Sequence, residues 1–89
     1  MGSVAYEVSF EAKVLKAMRH FPNADQRRLL SRCEALADEP RPAGAIKLTD
    51  VVGWRLRVGD YRVIYRIDEM EEIIIITRVS QRGDVYRKR

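Results

Sequence analysis

The sequence is poor in the residues that crosslink a chain or bind metal ions. Its 89 residues include one cysteine, Cys33, and one histidine, His20. A lone cysteine excludes an intrachain disulfide, and one cysteine with one histidine argues against a structural zinc site. We therefore expect no bound metal and no cofactor.

Long apolar segments are missing as well. The longest aliphatic run is the four isoleucines of residues 73–76, whereas a membrane-spanning helix needs about 20 apolar residues. No charged stretch followed by an apolar one resembles a targeting leader. We therefore expect a cytoplasmic protein without membrane contact. A hydrophobic content of 46% with 34% charged residues is typical of folded proteins, and the length of 89 residues predicts one domain, residues 1–89.

Acidic residues are outnumbered, mainly in the second part of the chain. The net charge is +4, and residues 54–89 carry nine basic and six acidic side chains, whereas residues 1–53 carry eight and seven. Such a basic excess indicates a nucleic acid, an acidic protein or both as partners.

A β-hairpin is predicted over residues 54–67. Two alternating apolar and basic runs flank Gly59-Asp60, a pair suited to a two-residue turn. A turn closed there sets Arg57 opposite Arg62. Because partners across two strands point to the same side of a sheet, one face of the hairpin is apolar. The other carries Arg55, Arg57, Arg62, Ile64 and Arg66.

This second face predicts an anion-binding surface. Arg57 and Arg62 would be a like-charge pair, which destabilises a sheet by roughly 0.2–1 kcal/mol, and no acid shares that face of the hairpin. Guanidinium groups bind phosphate bidentately, so phosphate is the favoured ligand. The alternative is a solvated basic face beside acids from other parts of the fold.

The remaining pattern predicts an α+β fold with the order β-α-α-β-β-β, in which an N-terminal αα-hairpin packs on one face of an antiparallel sheet. The elements outside the hairpin are a strand at residues 4–9, a helix at 10–21, a second helix capped by Asn23 and Gln26, a loop at 41–53 and a strand at 73–80. The isoleucines of the last strand indicate a central position covered on both faces.

Two blocks carry a family resemblance: WRLRVGDYRVIY at residues 54–65 and QRGDVY at residues 81–86. On these blocks, with further marks at residues 6–10, at the helix end of residues 36–40 and at Lys47-Leu48, the chain resembles the RelE/ParE superfamily of toxin–antitoxin toxins, and its RelE branch most. The resemblance covers nearly the whole chain and implies the RelE-like microbial ribonuclease fold.

The resemblance implies a toxin that enters the ribosomal A site and cleaves mRNA without a metal, by attack of a ribose 2′-oxygen on the adjacent phosphate. It also implies a cognate antitoxin as partner, besides the ribosome and mRNA. The catalytic positions that it implies are Arg55, Arg57, Arg62, Arg82 and Tyr86. We predict further RNA contacts from Lys47, Arg66, Arg78, Arg87 and Lys88, with a plain loop charge as the alternative for Lys47.

These residue types can stabilise negative charge but are poorly suited to proton transfer. Arginine stays protonated, so it can position phosphates and stabilise charge. Tyr86 is the plausible proton-transfer group, although only on the order of 0.1% of an unperturbed phenol is ionised at pH 7; the alternative is an aromatic that covers the sheet edge. Many RelE-type toxins carry His or Lys where this chain has Gln81, and glutamine cannot exchange a proton near neutral pH.

Two other functions are compatible with the sequence. One is a ParE-like toxin that inhibits DNA gyrase by binding it. The other is a catalytically weak toxin homologue that acts mainly through its antitoxin complex.

Overall fold

A computed structural model of the chain describes residues 5–81. The elements in this range, in chain order, are β1 (Glu7–Phe10), α1 (Ala12–Met18), α2 (Asn23–Ala35), β2 (Ile46–Lys47), β3 (Trp54–Val58), β4 (Tyr61–Asp68) and β5 (Ile73–Gln81). The strands form one sheet in the order β1-β5-β4-β3-β2. The predicted α+β class is confirmed.

The sheet is mixed, which refines the expected antiparallel arrangement. Strand β1 runs parallel to β5, with Glu7 beside Ile73 and Phe10 beside Ile76, whereas the other three pairings are antiparallel. Alternation within a strand predicts its faces, but it carries no information about the direction of a partner at the other end of the chain.

The register predicted for the hairpin is confirmed at all its pairs. These pairs are Trp54–Tyr65, Arg55–Ile64, Leu56–Val63, Arg57–Arg62 and Val58–Tyr61. Gly59 opens the turn with φ +60°, a conformation that glycine adopts without steric cost and that the first central position of a type II′ turn requires.

Both helices contribute to a core on one face of the sheet. Their buried residues are Val14, Met18, Leu29 and Cys33, and Leu36, directly after α2, is buried with them. The sheet contributes Leu56, Val58, Tyr61, Val63, Tyr65, Ile74, Ile76 and Val79. The opposite face of the hairpin strands carries the arginines. Strand β5 lies inside the sheet, between β1 and β4, as predicted. The prediction that both of its faces are covered is wrong: Ile74 and Ile76 are buried under the helices, whereas Ile73 and Ile75 on the other face are only half-buried.

Three local predictions need correction. Phe10 belongs to β1, because it extends the parallel ladder, so α1 is shorter than residues 10–21. Asn23 is the first helical residue of α2, and the Gln26 amide donates to the Phe21 carbonyl at 2.8 Å instead of forming a capping box. The loop predicted at residues 41–53 contains β2, which pairs with β3.

Between residues 5 and 81, no helix is long and apolar enough to cross a membrane.

Candidate nucleic-acid interface

A groove of about 300 Å³ lies on the sheet face opposite the helices. We call it the arginine groove. Its lining residues are Leu48, Arg55, Arg62, Ile64, Arg78 and Ser80. Two of the predicted catalytic arginines and one predicted RNA-contacting arginine therefore meet in one depression.

Strand pairing explains why these side chains meet. Ile64 in β4 pairs with Arg55 in β3 and with Arg78 in β5, so the three residues form one row across the sheet. The next row is Arg57, Arg62 and Ser80. Because neighbouring strands lie about 4.8 Å apart, the two rows hold four guanidinium groups close together on one face.

A β-bulge at Thr77 turns Arg78 toward the groove. Ile74 and Ile76 are buried on the helix side, and unbroken alternation would send Arg78 to that same side. The pairing of β4 with β5 shifts between Ile64 and Tyr65, which leaves Thr77 without a direct partner. Beyond the bulge Val79 is buried and Arg78 is exposed. The Thr77 hydroxyl donates to the Ile64 carbonyl oxygen at 3.2 Å and so fastens the bulge.

The groove arginines are not neutralised within the described part of the chain. The ion pairs among residues 5–81 are Lys13–Glu11 and Arg41–Glu69, both outside the groove. Arg57 makes a long hydrogen bond, from Nε to the Gly59 carbonyl oxygen at 3.4 Å. The alternative in which acids from elsewhere pair with the basic face finds no support in this range.

Three other predicted site residues lie beside the groove or beyond it. Arg57 shares a row with Arg62 but does not line the depression. Arg66 is exposed on the same outward face and pairs with Ile75, past the bulge. Lys47 pairs with Trp54, so the register puts it on the helix side at the sheet edge. Lys47 therefore lies on the face of the sheet away from the groove, and its RNA contact stays a prediction.

Four predicted site residues, Arg82, Tyr86, Arg87 and Lys88, lie outside the described residues, and their roles stay predictions. Gln81 ends β5 and pairs with Tyr61, which faces the helices. The register thus sets Gln81 on the side of the sheet opposite Arg62 and Ser80.

Three groove residues were not predicted as site residues: Leu48, Ile64 and Ser80. Ile64 was predicted only to share the face of the hairpin that carries the arginines. Ser80 lies two positions after Arg78 in β5, so strand alternation alone could have placed it on the same face. Leu48 reaches the groove through the loop before β3, where its backbone N–H donates to the Gly53 carbonyl at 2.9 Å. No sequence pattern marks that contact.

Two tyrosine hydroxyls tie the hairpin to the rest of the fold. Tyr61 donates to Asp25 Oδ2 at 2.7 Å, and Tyr65 donates to the Pro40 carbonyl at 2.7 Å. Burial, with the Asp25 hydrogen bond as a second cause, raises the pKa of Tyr61 to about 12. Burial also raises the pKa of Tyr65 to about 12. Both phenols therefore stay protonated near neutral pH and serve as anchors on the side away from the groove.

Comparison with known proteins places the chain among toxins. The profile of a family described as "ParE toxin of type II toxin-antitoxin system, parDE" matches residues 4–86. Toxin RelG of Mycobacterium tuberculosis is 37% identical over 54 residues, which cover 60% of this chain and 62% of RelG. Putative toxin RelE1 of Methanocaldococcus jannaschii is 27% identical over 86 residues, which cover 92% of this chain and 96% of that protein.

Solved structures of toxins share the fold. The archaeal RelE in the RelE–RelB complex of Pyrococcus horikoshii has 33% identity and a TM-score of 0.76, and the match covers 89% of this chain and 97% of that chain. The toxin–antitoxin complex RelBE2 of Mycobacterium tuberculosis matches with 26% identity and a TM-score of 0.82 over 93% of this chain and 98% of that chain. The chain belongs to the ParE toxin family, within the RelE/ParE superfamily of type II toxin–antitoxin toxins.

Proposed function

We propose that this toxin is a ribosome-dependent mRNA endoribonuclease that acts in the cytoplasm and cleaves mRNA in the A site without a metal. One observation carries the proposal: Arg55, Arg62 and Arg78 come from three adjacent strands and line one groove. A groove of unpaired guanidinium groups is suited to the phosphates of a nucleic-acid backbone.

The arginines have an electrostatic role in this proposal. Cleavage by a ribose 2′-oxygen builds negative charge on the oxygens at phosphorus, and fixed guanidinium groups stabilise that charge. Arginine does not release a proton near neutral pH, so proton transfer falls to Tyr86 or to groups of the ribosome and the RNA. Such a site depends on a substrate that is already positioned, which the ribosome would provide.

The proposed partners are the ribosome, mRNA and a cognate antitoxin. The relatives from Pyrococcus horikoshii and Mycobacterium tuberculosis were both solved in complexes with antitoxins. By analogy, an antitoxin of this chain would inhibit it by covering or distorting the arginine groove.

The proposal is tested with purified toxin and ribosomes that translate a defined mRNA, with primer extension to map the cuts. We expect cuts within codons in the A site. Arg62→Ala should lower the cleavage rate about 100-fold or more, the usual effect of losing one charge-stabilising donor. Arg32→Ala, which removes an exposed arginine of α2 on the helix side, is the matched control and should cleave normally. Intact mRNA with the unaltered toxin would contradict the proposal.

The matched family profile favours a second candidate, inhibition of DNA gyrase by binding. In that case the arginine groove would contact acidic side chains of gyrase. A supercoiling assay with purified gyrase separates the two functions: inhibition by the unaltered toxin together with intact mRNA on ribosomes would select gyrase.

A further inference from the structure

The floor of the arginine groove is apolar, although its rim is basic. Ile64 lies at the centre of the row Arg55–Ile64–Arg78 and is half-buried. Leu48 lines the same depression from the loop before β3. Phosphate binding alone does not need this floor, since guanidinium groups bind phosphates at a fully polar surface.

Backbone contacts position both floor residues. Leu48 is held by the hydrogen bond from its N–H to the Gly53 carbonyl at 2.9 Å. Gly53 fits against β4 because it lacks a side chain: a Cβ there would lie 2.9 Å from the Tyr65 carbonyl oxygen and 3.6 Å from Leu48 Cδ1. Ile64 is fixed by its strand pairs on both sides.

The charges on the two sides of Ile64 have a spacing that suits a nucleotide. Arg55 and Arg78 lie one strand away from Ile64 on either side, and strand spacing puts their backbones about 10 Å apart. Their long side chains can hold the phosphates that flank one residue of RNA, and the intervening base then lies over the apolar floor. A volume of about 300 Å³ is at the lower end of the range of small-ligand pockets.

We propose that Ile64 and Leu48 form a nucleobase subsite for one unpaired nucleotide, with Arg55 and Arg78 on its two flanking phosphates. The inference rests on the proposed function and adds a requirement to it: the RNA must be single-stranded at this point, because a paired base cannot reach the floor. A purely acidic peptide would use the arginines but would gain nothing from an apolar floor between them, because it has no apolar group to bury there.

The test measures binding of short single-stranded RNA, with 2′-O-methyl groups to prevent cleavage, to the purified toxin by fluorescence anisotropy. In a series of oligonucleotides, each member lacks the base at one position, and the position differs from member to member. The unaltered toxin should bind one member of the series about fivefold more weakly than the parent, as expected when a small apolar contact is lost. Ile64→Ala should bind the parent about fivefold more weakly and show no further loss with that member.

Matched variants and ligands make the result specific. Leu15→Ala, at an aliphatic residue of α1 that is 46% exposed and lies outside the groove, should behave like the unaltered toxin. Ile64→Thr keeps the β-branched shape suited to a strand and serves if the alanine variant does not fold. Double-stranded RNA of the same sequence should bind the unaltered toxin and the Ile64→Ala variant equally.

Three results would overturn the subsite. The first is equal binding of the parent and of every base-lacking oligonucleotide by the unaltered toxin. The second is a loss with Ile64→Ala that persists unchanged across the series. The third is competition by a polyglutamate peptide as strong as that by RNA. A primer-extension assay on ribosomes, run in parallel, tests the proposed nuclease function separately. If codons are still cut, the nuclease function stands even when one of these three results rules out the subsite.

Discussion

The hydroxyl of Thr77 donates a hydrogen bond of 3.2 Å to the carbonyl oxygen of Ile64, and this contact marks the place where the sheet changes its alternation. Without the bulge, Arg78 would point into the helix-covered core and Val79 would point outward. One extra residue in β5 thus supplies the third arginine of the groove. Bulges near functional sites often reorient a side chain in this way.

Replacement of Thr77 by valine should therefore weaken RNA binding. The β-branched shape is kept and the donor is lost, so we expect a loss of about 1 kcal/mol in the free energy of unfolding. If Arg78 leaves the groove, the slope of log K against log salt for single-stranded RNA should become shallower by about 0.7, the value for one phosphate contact. Fluorescence-anisotropy titrations at several salt concentrations measure this slope.

Two control variants show whether the change in slope comes from Arg78. Arg78→Ala should change the slope by the same amount, and the double variant should change it no further. Thr49→Val, at an exposed loop threonine, should leave it unchanged. If Thr77→Val keeps the slope of the unaltered toxin while Arg78→Ala reduces it, the Thr77 hydroxyl is not needed to hold Arg78 in the groove.

The pair Arg57–Arg62 should favour binding at the expense of stability. The two residues are directly opposite each other, and like charges so placed repel. Arg57→Gln should raise the free energy of unfolding by roughly 0.2–1 kcal/mol while lowering the rate of mRNA cleavage. Urea denaturation and primer extension measure the two effects. Arg27→Gln, at an exposed arginine of α2, should change neither, and lower stability in Arg57→Gln would contradict the prediction.

The hairpin was the most predictable part of the fold, because its information is local. Gly59-Asp60 fixes a two-residue turn, and the turn fixes every pair from Val58–Tyr61 to Trp54–Tyr65. The parallel pairing of β1 with β5 was not predictable, since the partners lie at opposite ends of the chain. The bulge was hidden because the four isoleucines before Thr77 show no alternation that a shift could break.

The residues of the candidate site likewise fall into those that local sequence patterns predict and those that depend on distant contacts. Arg55, Arg57 and Arg62 follow from strand alternation in the hairpin, and the structure puts them on one face. Arg78 depended on the bulge, and Leu48 depended on a loop contact. The short strand Ile46–Lys47 escaped prediction because two residues are too few to show a period.

Gly53 should tolerate substitution less well than Gly44. Both have positive φ, +146° and +95° respectively, so a side chain strains the backbone at either position. Only at Gly53 would a Cβ also meet a backbone atom, the Tyr65 carbonyl oxygen at 2.9 Å, whereas nothing lies within 4 Å at Gly44. Gly53→Ala should destabilise the fold by more than the roughly 1–3 kcal/mol of backbone strain alone. Equal urea midpoints for the two alanine variants would contradict this account.

Alkaline pH should weaken the fold. Burial raises the pKa of Cys33 from 9.0, and those of Tyr61 and Tyr65 from 10.0, to about 12 in each case. The folded state therefore keeps protons that the unfolded state releases, so the free energy of unfolding should stay level below about pH 9 and fall as the pH rises toward about 12. Urea denaturation across that range measures it. Tyr65→Phe should make the decline shallower, and a level profile would contradict the expectation.

The central claim is that Arg55, Arg62 and Arg78 act together on RNA. The most direct measurement is primer extension on a translated mRNA in cells that express the unaltered toxin or one of two variants. In the groove variant all three of these arginines are replaced by glutamine. In the helix variant Arg19, Arg27 and Arg32 are replaced by glutamine. Both variants lose the same charge. We predict A-site cuts with the unaltered toxin and the helix variant and none with the groove variant. Equal cutting by the two variants would contradict the claim.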